Sequence, residues 1–268
     1  MHGDEKYLFL PDAISIQFCL SLQNTIPLPG YIYTGMKELF YLIIISHWVN
    51  FLKVDIIEGR KIDAFPQSTK VLVDIFRSTS TMPLMIRNGA KYIIPTKTVK
   101  EARLIKKRNP EYILAGERLG RRMPGFDYGN SPYEVWEEDF KDKIVVFTST
   151  NGTKVLDKIR DSGRIFIASF INISATVDAL SDEPYVSIVV SGRPDGVADE
   201  DHYFAEYLSA RLTKEPADIN SYLSRIKKSK GARRLRMMGA REDIEYSLKV
   251  DSVDFPLVFE EGKIIRSQ

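Results

Sequence analysis

The sequence predicts an α/β protein, a three-layer α/β/α sandwich built on a mostly parallel or mixed sheet. Three observations lead there. Short apolar runs alternate with helical patterns between residues 71 and 212. Cap and turn residues separate the runs from the patterns. Polar, hydroxyl-rich or acidic segments recur just after the apolar runs, where strands of such sheets carry their ligands.

The elements follow in order. Val71 to Phe76 reads as a buried strand. Thr81-Met-Pro83 opens a helix with proline near its first turn, and Gly89 closes the segment. Tyr92–Pro95 is a second strand, and the capping box Thr98-Val-Lys-Glu101 starts a helix that Asn109–Pro110 stops. Tyr112–Ala115 is a third strand, followed by a glycine-bearing loop from Arg118 to Asn130. Ser131-Pro-Tyr-Glu134 has the form of a second capping box opening a helix. Strands are expected at Ile144–Phe147, Arg164–Ala168 and Val186–Val190, with helices from Thr153 to Asp161, after a cap at Asn172, and from Glu200 to Leu212. The remainder reads as helical as far as Phe255, where a terminal hairpin is expected.

Composition bounds the answer. The 268 residues are 44% hydrophobic and 28% charged, with formal net charge +2. A core is affordable, and no global field points to nucleic acid or to a membrane. The one cysteine, Cys19, excludes a disulfide framework and a cysteine-based metal site, and fits a cytoplasmic protein. The most apolar stretch, Leu39 to Leu52, is too short and too interrupted to span a bilayer. Residues 1–50 lack the regular patterning of the rest. They read as an N-terminal extension or a misassigned start, with the folded domain at 51–268.

The chemistry-bearing residues cluster behind the strands. Asp74 ends an apolar run, where a carboxylate is costly unless paired. Arg77-Ser78-Thr79-Ser80-Thr81 follows it. A plain N-cap needs one hydroxyl, whereas four beside an arginine suit an anion cradle at a helix start. Thr148-Ser149-Thr150-Asn151-Gly152-Thr153 is a second such loop, in which Asn151–Gly152 is expected to make a positive-φ turn that exposes successive N–H groups. Glu117, Arg118 and Asn172 also follow strands. Asp74, Glu117 and the acids Asp199-Glu200-Asp201 are candidate ligands for Mg²⁺, a cation that takes hard oxygen donors. No phosphate-binding glycine fingerprint of the P-loop or dinucleotide type is present. Three scattered histidines, His2, His47 and His202, make no zinc site. The basic run from Arg225 to Arg236 reads as a solvated helical surface, with nucleic-acid binding as its alternative.

Taken together, Val73-Asp-Ile-Phe-Arg-Ser-Thr-Ser-Thr81, Asn88-Gly-Ala90, Leu114-Ala-Gly-Glu-Arg118, Gly125-Phe-Asp-Tyr-Gly-Asn-Ser-Pro132, Thr148-Ser-Thr-Asn-Gly-Thr153, Glu200–Asp201 and Gly239-Ala-Arg-Glu-Asp243 resemble the 2-phosphosulfolactate phosphatase (ComB) family. The resemblance covers residues 52–265. It departs from the family's usual pattern at Ser149, where threonine is expected, and at Lys230, where histidine is common. It implies a ComB-like fold and a Mg²⁺-dependent enzyme that converts 2-phospho-3-sulfolactate to 3-sulfolactate and phosphate, a step toward coenzyme M. It adds Asn130 and Ser131 to the residues expected to hold substrate. The expected catalytic set is therefore Asp74, Arg77, Glu117 and Asn151, with metal at Asp74, Glu117, Glu200 and Asp201. The substrate is expected to be a small anionic phosphate ester, and the reading allows a homodimer. Rival readings are a phosphatase of the same scaffold acting on another small phosphocarboxylate, and a non-catalytic anion- or nucleic-acid-binding protein.

Overall fold

A computed structural model of the chain describes residues 52–194, 196 and 198–267. The expected extension at 1–50 lies outside these residues. Ten strands form the sheet in the order β1-β8-β2-β7-β9-β10-β3-β6-β4-β5. They are β1 (Lys53–Glu58), β2 (Thr69–Val73), β3 (Tyr92–Thr96), β4 (Ile113–Arg118), β5 (Arg121–Arg122), β6 (Ile144–Thr148), β7 (Ile165–Ala168), β8 (Tyr185–Val190), β9 (Leu257–Glu260) and β10 (Lys263–Arg266). Eight α-helices are present among the described residues: α1 (Ser78–Arg87), α2 (Val99–Arg108), α3 (Gly152–Ile159), α4 (Ile173–Ala179), α5 (Asp199–Leu212), α6 (Ile219–Lys227), α7 (Lys230–Met237) and α8 (Arg241–Ser247).

The period-two alternation of the strands divides the core into layers. Along β2, Leu72 faces α1 and α3 in one apolar cluster, while Val71 and Val73 face the opposite cluster with Phe204 and Leu208 of α5. Along β6, Val145 and Phe147 join the first cluster, and Val146 turns to Ala102 of α2. Helices therefore cover both faces, as the three-layer expectation requires. No helix among the described residues is long and apolar enough to cross a membrane.

The sheet is mixed in a particular way. β1, β8, β2 and β7 are parallel neighbours, as are β3, β6 and β4. The hairpin β9–β10 joins the two blocks through antiparallel pairings on both sides. Following the ladder, the second block runs opposite to the first. Their carboxyl ends nevertheless meet, because Gly152 behind β6 donates to Asp74 behind β2 at 3.0 Å. Sheet twist accounts for this: about 20–25° per strand, over the five steps from β2 to β6, swings the reversed block well away from antiparallel. The convergence expected at a single parallel edge is thus reached by reversal plus twist.

Local expectations fare unevenly. Thr98 caps α2 through Glu101 N at 3.1 Å, as its box predicts. α1 begins at Ser78, three residues before the expected start, and carries Pro83 inside it. Ser131 accepts from Glu134 N at 3.0 Å, yet only a turn follows. The next carbonyls, of Val135 and Trp136, are taken by Asn88 and Arg87, so the helix has no acceptors with which to continue. Asn172 makes no side-chain cap on α4. It reaches back to Ser169 N at 3.1 Å and closes a capping box on the 3₁₀ turn Phe170–Asn172. The C-terminal helices end at Ser247 rather than near Phe255. β1 carried no strand reading in the sequence.

Candidate active site

Asp74 leaves β2 just as the buried strand ends, and it is 5% exposed. Its Oδ2 accepts from Ser78 Oγ at 2.7 Å and from Gly152 N at 3.0 Å. Its Oδ1 takes no hydrogen bond among the described residues. Burial pushes the Asp74 carboxyl up to about 6; the negative charges of Glu117 and Glu200 push the same way, while the bonds from Ser78 and Gly152 oppose them. Gly152 is glycine for a spatial reason. A Cβ there would stand 2.8 Å from Asp74 Oδ2 and 3.0 Å from the Ser78 side chain.

The hydroxyl run after Asp74 does not form an open cradle. Thr79 Oγ1 accepts Asp74 N, Ser80 Oγ donates to Ile75 O and Thr81 Oγ1 donates to Arg77 O. All three serve the backbone of a buried first turn, and only Ser78 turns to Asp74. The second loop divides likewise. Thr148 Oγ1 donates to Thr96 O, and Ser149 and Thr153 bond each other. Thr150 and Asn151 face the cleft. Asn151 has φ −119° and Gly152 starts α3, so the positive-φ turn expected there is absent.

Glu117, at the end of β4, organises this second loop. Its Oε1 accepts Thr150 N at 2.6 Å, and its Oε2 accepts Thr150 Oγ1 at 2.9 Å and Gly120 N at 2.5 Å. Arg118 points elsewhere, to Thr148 Oγ1 and to the carbonyls of Glu117 and Lys97. At the start of α5, Asp201 accepts from Ile75 N at 2.9 Å through Oδ1. Burial and the charges of Asp74 and Glu200 raise the Asp201 carboxyl well above its ordinary range. Glu200 pairs with Arg193 and accepts Gly231 N at 3.3 Å.

Arg77 is held from two sides. It donates to Asp243 Oδ2 at 2.5 Å and to Gly120 O at 2.6 Å. Asp243 in turn takes Ser131 Oγ, so Ser131 supports this pair rather than the cleft. These elements enclose a cleft of about 280 Å³. Asp74, Glu117, Asn130, Thr150 and Asn151 line it together with Arg77, Arg193 and Arg234. Phe76, Leu119, Leu235 and Met238 supply an apolar wall.

Of the residues singled out in the sequence, then, Asp74, Arg77, Glu117, Asn130, Thr150 and Asn151 are brought together around one cleft. Ser78, Gly152, Glu200 and Asp201 stand directly behind them through the bonds described. Arg118, Ser131, Thr148, Ser149, Thr153 and Asn172 do not line the cleft, nor do Thr79, Ser80 and Thr81. Sequence reasoning missed Arg193, Arg234 and Gly231. Arg234 was hidden inside a basic run that otherwise faces solvent. It reaches the cleft because α7 folds back over the β4–β5 tip, where Arg234 donates to Leu119 O at 3.5 Å. A Cβ at Gly231 would approach Arg193 and Glu200 to 2.2 Å. Asp243 had been noted only as part of a motif, without its partner Arg77.

Among the described residues, no group of three or more His, Cys, Asp or Glu side chains is arranged to hold a metal ion. Mg²⁺ needs fewer, since it commonly takes one or two carboxylates and completes its shell with water and phosphate. Glu117 and Glu200 spend both carboxylate oxygens on protein donors. Asp74 and Asp201 each keep one oxygen without a hydrogen bond, and their mutual repulsion is what a bound cation relieves.

Comparison with known proteins identifies the family. The family model described as 2-phosphosulpholactate phosphatase matches residues 55–262. A "probable 2-phosphosulfolactate phosphatase" of Thermoplasma acidophilum is 43% identical over 211 residues, covering 78% of this chain and 94% of that protein. A protein of the same description from Thermoplasma volcanium is 38% identical, covering 79% and 98%. Another from Thermotoga petrophila is 35% identical, covering 68% and 85%. With a matched segment that contains every cleft residue named above, the chain belongs to the 2-phosphosulpholactate phosphatase family.

Proposed function

We propose that the protein hydrolyses 2-phospho-3-sulfolactate to 3-sulfolactate and phosphate in a Mg²⁺-dependent reaction of the kind that leads to coenzyme M. The observation that carries this is the division of one cleft into carboxylates at its floor, Asp74 with Asp201 behind it, and three arginines on its walls. The substrate bears a phosphate, a carboxylate and a sulfonate. Acids alone would repel it, and arginines alone would bind it without chemistry.

Asp74 and Asp201 are the residues that would hold Mg²⁺, through the oxygens they leave free. So bound, the ion would draw charge from the phosphate oxygens. Ser78 and Gly152 hold Asp74 in place. Glu117 fixes Thr150 and Gly120, and so sets the rim on which the phosphate rests. Arg77, locked by Asp243, presents its guanidinium without having to reorganise. Arg193 and Arg234 lie on the side of the cleft formed by α7 and the segment after β8, placed to receive the carboxylate and sulfonate by charge-assisted bonds. In the metal-free protein burial raises the Asp74 carboxyl to about 6, and a bound cation would favour its ionised form.

The test is phosphate release from 2-phosphosulfolactate, phosphoglycerates and phospholactate, each with Mg²⁺ and with chelator. Release from the sulfonated ester that stops on chelation is the expected result. Preference for a phosphoglycerate would move the reading to another phosphocarboxylate, and silence with every ester would end it.

A further inference from the structure

Asn130 is 4% exposed and lines the cleft, and its carbonyl oxygen Oδ1 is buried without a hydrogen-bond partner among the described residues. A buried acceptor left unpaired is expensive, and native proteins seldom carry one without a use for it. The other end of the same amide is committed. Asn130 Nδ2 donates to Ser78 Oγ at 3.2 Å, and Ser78 Oγ donates to Asp74 Oδ2 at 2.7 Å. Asp74 Oδ2 also accepts Gly152 N at 3.0 Å, so it is the acceptor in both contacts. With its proton given to Asp74, Ser78 can only accept from Asn130. The chain from Gly152 through Asp74 and Ser78 therefore sets the amide orientation, with its NH₂ on Ser78 and its C=O on the other side of an amide that lines the cleft.

What meets that oxygen must be a hydrogen-bond donor or a cation, and the proposed cation has Asp74 and Asp201 as its holders. An ionised phosphate ester that also carries a carboxylate and a sulfonate offers acceptors only, since the second phosphate proton leaves at about pH 6. Water is the remaining donor the reaction requires. We infer that Asn130 is a further catalytic residue: its Oδ1 accepts a hydrogen bond from the attacking water and turns that water's lone pair toward phosphorus. In the step, the water oxygen bonds to phosphorus and the bond from phosphorus to the C2 oxygen breaks. One water proton stays on the released phosphate, and the other ends on the alcohol oxygen of the product. The inference rests on the phosphatase reading and adds to it the acceptor that the anion-binding groups lack.

Steady-state kinetics on Asn130→Ala tests it, with inorganic phosphate as a competitive probe of the oxyanion site. The expected result is kcat lowered on the order of 100-fold, the scale of a misplaced nucleophile, with KM and the phosphate inhibition constant within about threefold of wild type. Asn130→Ser, which keeps a polar side chain but cannot reach the same point, should lower kcat on a similar scale with the same constancy, and it carries the test if Asn130→Ala does not fold. An undiminished kcat overturns the inference. So does a rise in KM and in the phosphate inhibition constant, which would make Asn130 a substrate holder. A wild-type protein that releases no phosphate from any ester sinks the phosphatase reading itself, whereas an active wild type with an equally active Asn130→Ala sinks the inference alone.

Discussion

Asp74 combines a buried position, two inward hydrogen bonds and one oxygen left for the cleft. Replacing it with asparagine keeps the shape and removes the charge. Turnover should fall by roughly 100-fold or more, the scale of losing an acid–base or metal-holding group, with circular dichroism unchanged. The same variant has a stability signature in metal-free protein. Because the folded carboxyl is raised from 3.8 to about 6, its contribution is fully present below the unfolded value and is lost as pH rises through the folded one. Denaturation midpoints of the wild type should therefore decline between about pH 4 and 6 more steeply than those of Asp74→Asn. Arg234→Ala should raise KM for an ester bearing three anionic groups about tenfold or more, while affecting inorganic phosphate less, if the guanidinium serves the far end of the substrate. Gly152→Ala would press a methyl against Asp74 Oδ2, and a loss of about 1–3 kcal/mol in chemical denaturation is expected, along with lost activity. At this scale the sequence was legible where polarity conflicted with burial, as at Asp74, and where an acid follows an expected strand, as at Glu117. It misled where hydroxyls were numerous. Thr79, Ser80 and Thr81 bond to nearby backbone groups, and that local satisfaction looks the same in a sequence as a row of ligand donors.

At the scale of elements, the strands after Glu58 other than the two-residue β5, which fell inside the expected loop, could be read because their apolar runs are short and their punctuation is strong. The first of the sheet, β1, escaped because Ile56–Ile57 breaks the alternation of Lys53 to Glu58 and its side chains stay half-exposed at an edge. The box at Ser131–Glu134 formed its bonds but not its helix, since its neighbours' carbonyls had tertiary claims on them. The short α8 matters more than its seven residues suggest. Through Asp243 it clamps Arg77, both being almost fully buried. Breaking one side of such a pair leaves a charge uncompensated, so Asp243→Ala should cost about 3–5 kcal/mol in equilibrium unfolding. Asp243→Glu, which keeps the charge at an altered reach, should recover part of that loss while still impairing turnover.

For the whole molecule, the layer architecture was readable from alternation, but the path by which the site assembles was not. Sequence shows which residues follow strands. It does not show that two parallel blocks run opposite ways through a hairpin inserted between them, because pairings as distant as Ile165 with Phe259 and Ile93 with Ile264 are set by tertiary packing rather than by any local pattern. Phe259 pairs with Ile165, and Ile264 pairs with Ile93, so β9–β10 bridges the half that carries Asp74 and the half that carries Glu117. A chain ending at Pro256 should lose cooperative unfolding and all cleft-dependent activity. Retention of a sharp thermal transition by that truncation would contradict the bridging role.

The bridge has a consequence for biosynthesis. Among the described strands, those that close the sheet are the last a ribosome would make, at residues 257–266. While the earlier helices and strands emerge, the two half-sheets present open inner edges with nothing between them. A nascent chain stalled just short of residue 257 should accordingly engage chaperones and resist folding, and catalytic competence should arise only after that final stretch leaves the exit tunnel.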